Sequence, residues 1–229
     1  MKRLGLLVAV EIDAVNELLG SPKWKKEEYG FPVSCYEIKG NELIVIHSNA
    51  GELAASEATS VLILEYGVKT IFNFGIVGAL THKIGDTPLV FVKEVVHSDA
   101  DLSQIDHVPV GQHAGFDTPF IHLDEEYLNL ASQVYPDIPL VRCASGDRFV
   151  LGEKEKTHLH DLFNADIVEM ELAAIVYAAE KFGARVFSCK MVADFVKGGE
   201  EEYYANKLSA SKTCLSLLLK INELFEKAD

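Results

Sequence analysis

An α/β chain is predicted: a single domain over residues 1–229, with a mixed, mostly parallel central sheet flanked by helices on both faces. Three observations carry this. Apolar runs too continuous for a half-solvated strand recur along the chain, stretches of helical period separate them, and no Pro/Gly-rich linker, repeat or low-complexity tract interrupts the order. Strands buried on both faces read as unbroken apolar runs, and helices between them supply the two covering layers.

The strand candidates, in order, are "RLGLLVAV", "ELIVIHS", "TIFNFG", "PLVFVKEVV", "PLVRCAS" and "RVFSCKMVAD". Helical stretches are expected near 52–66, 124–134, 154–164, 167–182 and 207–227, with Gly67 and Gly183 closing two of them. Cys214, Leu218, Ile221 and Phe225 make a clear apolar stripe in the last. Within "IVEMELAAIV" the spacing puts Ile167, Glu171, Ile175, Ala178 and Phe182 on one helical face, while Glu169 can look at solvent. Glu171 then stands on the face meant for the interior, where an unpaired carboxylate costs on the order of several kcal/mol. Such a group needs a partner in the protein or a ligand that uses it.

The formal net charge is −14, from 35 acids against 21 bases. The densest basic cluster, Lys23 to Lys26, is followed at once by two glutamates, so no positive footprint for nucleic acid or an anionic membrane exists. The opening "MKRLGLLVAVEIDA" has two bases and an apolar run but no cleavage signal; it reads as the first strand rather than a leader. Cys35, Cys143, Cys189 and Cys214 are widely spaced and form no CxxC, which suits buried thiols in a reducing cytoplasm.

In an open α/β sheet, ligands bind beyond the carboxyl ends of the strands. The residues to inspect are therefore "VEID" (10–13), "GIVG" (75–78), "SGDRFV" (145–150) and "ADF" (193–195). The two glycines of "NFGIVGAL" allow close backbone approach, but they are not a dinucleotide fingerprint. His97, Asp99 and Asp101 could share a face, yet no second cluster completes a metal site. His158 and His160 on a helix point apart and read as solvated surface. Asp194 ends an apolar strand and would cap a helix or serve a site; with Asp13 and Glu171 at comparable places, the three would raise one another's pKa. The segment 97–122 lacks any sustained period and is too long for a plain connector.

Taken in order, "AVEIDAV", "NFGIVGAL", "HSDADL", "SGDRFV", "VEMELAA" and "KMVADF" resemble the nucleoside phosphorylase and nucleosidase superfamily over almost the whole chain. Within it they look most like the 5′-methylthioadenosine/S-adenosylhomocysteine nucleosidases. The resemblance implies a nucleoside phosphorylase-like fold and hydrolysis of a purine nucleoside, adenine being the expected base, with no cofactor and no metal. It implies that Glu171 holds the ribose hydroxyls and Met170 packs under the sugar. Asp194 would protonate, or hydrogen-bond toward, N7 of the leaving base, and Asp13 would activate water. Phe149 and Val150 would hold the base, with Gly78, Ile76 and Lys190 also lining the substrate. Ile105 and His107 would reach the 5′ pocket of a neighbouring subunit, so a homodimer is implied.

Departures accompany the likeness. Phosphate-using members carry an arginine and a serine or threonine on the glycine loop; here the positions are Asn73 and Ile76, and the first strand is followed by acids. A phosphate dianion would meet those acids unneutralised, which favours hydrolysis over phosphorolysis. Asp13 is a methylene shorter than the usual glutamate, Lys190 replaces an arginine, Ala193 a serine, and Arg148 adds a charge beside the base. A phosphorylase with an unusual phosphate site and a nucleoside-binding protein with weak catalysis remain as alternatives.

Overall fold

Each of the six apolar runs is a strand. The computed structural model describes residues 2–84, 88–194 and 207–228, the side chains of Lys83, Asp194 and Ala228 excepted. The runs become β1 (Arg3–Val8), β4 (Asn41–His47), β5 (Thr70–Ala79), β6 (Leu89–His97), β8 (Leu140–Ser145) and β10 (Arg185–Asp194). Four further strands join them: β2 (Trp24–Glu28), β3 (Phe31–Ile38), β7 (Phe120–His122) and β9 (Ile167–Glu169). The helices are α1 (Ile12–Leu19), α2 (Glu52–Leu64), α3 (Ser103–Asp106), α4 (Glu125–Val134), α5 (Glu153–Phe163), α6 (Leu172–Phe182) and α7 (Lys207–Ala228).

All ten strands belong to one mixed sheet in the order β10-β6-β8-β9-β5-β1-β4-β3-β2, with β7 on β6. Its centre is parallel: β1 pairs with β4 and β5, β5 with β10, and β8 with β6 and β9. Antiparallel pairing adds the β2–β3–β4 edge, and it also closes the sheet on itself. Because β10 pairs with β5 on one side and antiparallel with β6 on the other, the strands β5, β10, β6, β8 and β9 form a ring. The parallel share is therefore smaller than the apolar runs alone suggested.

Two helix groups cover the sheet. One is α2 packed on α6; the other is α7, which lies on β5 and β10 and gathers α1 and α4 beside it. The expected α7 stripe of Cys214, Leu218, Ile221 and Phe225 is buried, and Phe225 stacks on Tyr127 of α4 at a ring separation of 3.9 Å. All four cysteines are buried free thiols.

The helix expected over 167–182 starts five residues late. Ile167–Glu169 is β9, in register with Cys143–Ser145 of β8 and antiparallel to Gly78 and Ala79 of β5. Those ladders claim its backbone groups, so tertiary pairing overrides the helical spacing. Glu171 is consequently the N-cap residue of α6 rather than a side chain on its stripe, and Phe182 at the far end is exposed. Glu169 is buried, contrary to expectation. Likewise His160 is not solvated surface: its Nδ1 lies 2.7 Å from the Ala165 carbonyl oxygen.

Asp124 ties the α4 start to the root of β10. Its Oδ1 accepts the Tyr127 N–H at 3.0 Å as an N-cap and also a guanidinium N–H of Arg185 at 2.9 Å. Asp124→Ala is expected to lower unfolding free energy by about 1–2 kcal/mol through the cap alone, whereas Asp124→Asn, which keeps the cap, loses less. Denaturant titrations of both variants check this; equal losses would assign the effect to the ion pair.

Candidate active site

A cavity of about 210 Å³ opens where β1, β8 and β9 end, against the middle of β5 and β10. The floor is the Gly75–Gly78 stretch of β5. Gly75 matters for its missing side chain: a Cβ there would stand 2.8 Å from Glu11 Oε1. The space belongs to the Glu11 carboxyl, which accepts the Val10 N–H at 3.2 Å and the Ile76 N–H at 3.4 Å. Glu169, from β9, and Lys190, from β10, meet across the cavity at 3.2 Å, both buried. Glu171 follows, its Oε1 accepting the Gly51 N–H at 3.0 Å. Phe149, Val150, Val168 and Met170 supply an apolar wall, with the half-exposed Phe149 and the exposed Arg148 at its rim.

Three carboxyls thus share one hollow with one ammonium. Burial alone would lower the Lys190 ammonium, but Glu169, Glu171 and Glu11 around it outweigh that and raise it above its ordinary value. For Glu171, burial and then the nearby Glu169 charge push the carboxyl up to about 8, against the pull of Lys190 and the Gly51 N–H. Burial also raises Glu11, with Lys190 opposing. Behind the wall lies a fourth acid, Glu52 at the start of α2, likewise pushed up to about 8 by burial and by Glu169.

Of the residues singled out from sequence, Glu171, Gly78, Phe149, Val150, Met170, Lys190 and Ile76 line the cavity together. Asp13 does not. It is exposed on the first turn of α1, because the helix begins at Ile12 and side chains two positions apart on a helix point nearly opposite ways. Glu11, the N-cap residue of that helix, faces the cavity instead. Asp194 ends β10 with its backbone paired to Gly78, next to a register shift after Val192; its side chain and Phe195 lie outside the described residues. Ile105 and His107, at the end of α3, are exposed and line no part of the cavity in the single chain. The sequence reading missed Glu11, Glu52 and Glu169. Glu11 was within reach, since it directly follows a strand at the carboxyl edge; Glu52 resembles any first-turn helix acid.

The 97–101 acids and histidine have partners of their own. His97 Nδ1 is 3.0 Å from His113 Nε2, and Asp99 accepts the Asp147 N–H at 2.8 Å and a guanidinium N–H of Arg148 at 3.4 Å. Among the described residues no group of three metal-binding side chains occurs. No described helix is long and apolar enough to cross a membrane.

A carboxyl whose pKa is higher in the folded chain than in the unfolded one weakens folding as pH rises. For Glu52 that window runs from its ordinary 4.5 to about 8. Glu52→Gln is therefore expected to gain stability relative to the parent by on the order of 1 kcal/mol per pH unit through this window and to level off above it. Melting curves across pH 4–9 read the difference; a constant offset would show that Glu52 does not hold its proton.

Comparison with known proteins matches this architecture. A profile described as the phosphorylase superfamily fits residues 3–222. The aminodeoxyfutalosine nucleosidase of Helicobacter pylori is 30% identical over 202 residues, 85% of this chain and 86% of that protein. A 5′-methylthioadenosine/S-adenosylhomocysteine nucleosidase of Bacillus thuringiensis is 28% identical over 152 residues, 64% and 65% of the two chains. The native structure of futalosine hydrolase of Helicobacter pylori superposes with a TM-score of 0.90 at 26% identity, covering 97% of both chains. With residues 3–222 matched and the fold shared, the chain belongs to the phosphorylase superfamily.

Proposed function

We infer that the protein is an N-ribosyl hydrolase, cleaving the N-glycosidic bond of a purine nucleoside, with adenine the expected base, and passing the sugar to water. The observation that carries this reading is the charge balance of the cavity. Glu11, Glu169 and Glu171 line it against Lys190, which is already paired with Glu169. The guanidinium of Arg148 is held at the rim by Asp99 and Glu155. Breaking the bond leaves positive charge on the sugar and negative charge on the base, and a hollow rich in carboxyls favours the cationic sugar. A phosphate dianion, by contrast, would face those same carboxyls with no free guanidinium fork among the described lining residues.

In this reading Glu171 takes the sugar hydroxyls, Met170 lies under the ring, and Phe149 and Val150 hold the base. Glu11 orients the water, the role expected of Asp13 from sequence. Its burial favours the neutral form, and the positive charge developing on the sugar favours the anion that accepts a proton from water. Asp194, beside Gly78 at the end of β10, is the acid at the base. A second copy of the chain would bring Ile105 and His107 over the 5′ side, making the working unit a homodimer. The compounds named for relatives, aminodeoxyfutalosine, methylthioadenosine and adenosylhomocysteine, are the first substrates to try.

Incubation with each of these, and with adenosine and inosine, in phosphate and in phosphate-free buffer, is expected to release free base equally in both. Strict dependence on phosphate, with ribose 1-phosphate formed, would overturn hydrolysis, and binding without turnover would leave only a nucleoside-binding protein. Glu11→Gln is expected to lower kcat about 10²–10⁴-fold, while Asp13→Asn stays near the parent rate; the reverse pattern would return the water to Asp13. Asp194→Asn should lose kcat by a far larger factor than it raises KM, and equal losses would remove its acid role.

A further inference from the structure

Glu171 is held in place by two helix starts that hold each other. A helix leaves its first N–H groups without partners inside the helix. At the α6 start all four are taken by side chains from three other places in the chain. Glu169 accepts from Glu171 and Leu172 at 3.0–3.3 Å. The Ser145 hydroxyl, at the end of β8, accepts from Ala173 at 3.1 Å. Glu52 Oε2 accepts from Ala174 at 2.6 Å. Glu52 and Ser145 are themselves joined, the hydroxyl donating to Oε1. In return, the start of α2 supplies the Gly51 N–H that holds Glu171, while its Glu52 N–H donates to Asp147 Oδ1 at 2.7 Å. Glycine suits this place because its φ is +111°, and a Cβ would also lie 3.0 Å from Asp147 Oδ1.

We propose that Glu52 is a positioning residue for the hydrolysis: by clasping Ser145 and the first turn of α6, it sets the distance between Gly51 and Glu171 and so the orientation of the Glu171 carboxyl in the cavity. Glu52 does not line the cavity. It acts through a clasp between α2 and α6, two helices packed along each other. The groups facing it are Ser145, Asp147, Glu169 and the α6 N-terminus; burial first and then Glu169 push its carboxyl up to about 8, toward the neutral form. A glutamine keeps both contacts with one bond reversed: its oxygen accepts from Ala174, and its amide donates to the Ser145 oxygen where the carboxyl had accepted from the hydroxyl. An alanine removes both.

This inference rests on Glu171 meeting the sugar, so two readouts are needed. With methylthioadenosine as the probe and adenine release as the signal, Glu52→Ala is expected to lose about 10²-fold in kcat with little change in KM, the cost of a small misplacement of a reacting group. Glu52→Gln should keep the parent rate at pH 7. Hydrogen exchange at the Gly51 amide, which needs no turnover, should quicken in Glu52→Ala and stay slow in Glu52→Gln. Ser145→Ala cuts the same clasp from its other side and should also quicken it, which covers the case of Glu52→Ala failing to fold. Unchanged Gly51 protection in both alanine variants would overturn the proposal, as would a glutamine variant as impaired as the alanine. A parent protein inactive on every nucleoside would sink the hydrolase reading, and the Gly51 amide would still decide the clasp.

Discussion

The Glu169 carboxylate is the point on which the site depends. It sits where β9 passes into α6, takes two N–H groups of the helix start, and holds the Lys190 ammonium from β10. Three successive elements, β9, α6 and β10, are thereby fixed to one buried carboxyl. Pairs of this kind add little net stability over apolar residues, but removing one member strands the other, at a cost of about 3–5 kcal/mol. The value of the arrangement is geometric. It holds an acid and a base together inside the fold, and that acid adds to burial in disfavouring ionisation of Glu171 and Glu52 nearby.

From that charge pattern the chemistry follows. A cavity holding three carboxyls and one committed lysine is poor ground for an anion and good ground for a developing cation. Such a cavity does not need to be charged before substrate arrives. Burial raises the carboxyls of Glu171 and Glu11, and the positive charge that forms on a sugar during cleavage favours their ionised forms. Ring closure of the sheet supports this by placing β5 and β10, which carry Gly75 and Lys190, side by side in register through most of their length.

Patterns in the chain predict the buried framework well. The six apolar strands and the α7 stripe are where hydrophobic period puts them, since burial of those residues is a local demand on the sequence. The remaining strands were not legible for separate reasons. β2, "WKKEE", carries almost no apolar pattern and exists because β3 pairs with it, with Lys26 meeting Glu28 within the strand and Lys23, just before it, meeting Glu37 of β3. β9 spans only Ile167–Glu169 and hides inside a helical spacing. Short elements with polar or ambiguous composition depend on a partner that no local window contains.

The same division runs through the site. Residue order and type sufficed to set the superfamily, the glycine stretch against the cavity, and the presence of Glu171, Met170, Phe149, Val150 and Lys190 along its wall. Choosing between Glu11 and Asp13 needed the tertiary structure, because it turns on the residue at which α1 begins and hence on a rotation of nearly half a turn. The roles of Glu169 and Glu52 needed it too. Each is an ordinary acid in the string, and each becomes distinctive only once the starts of α2 and α6 are brought together, a long-range meeting that local sequence does not encode.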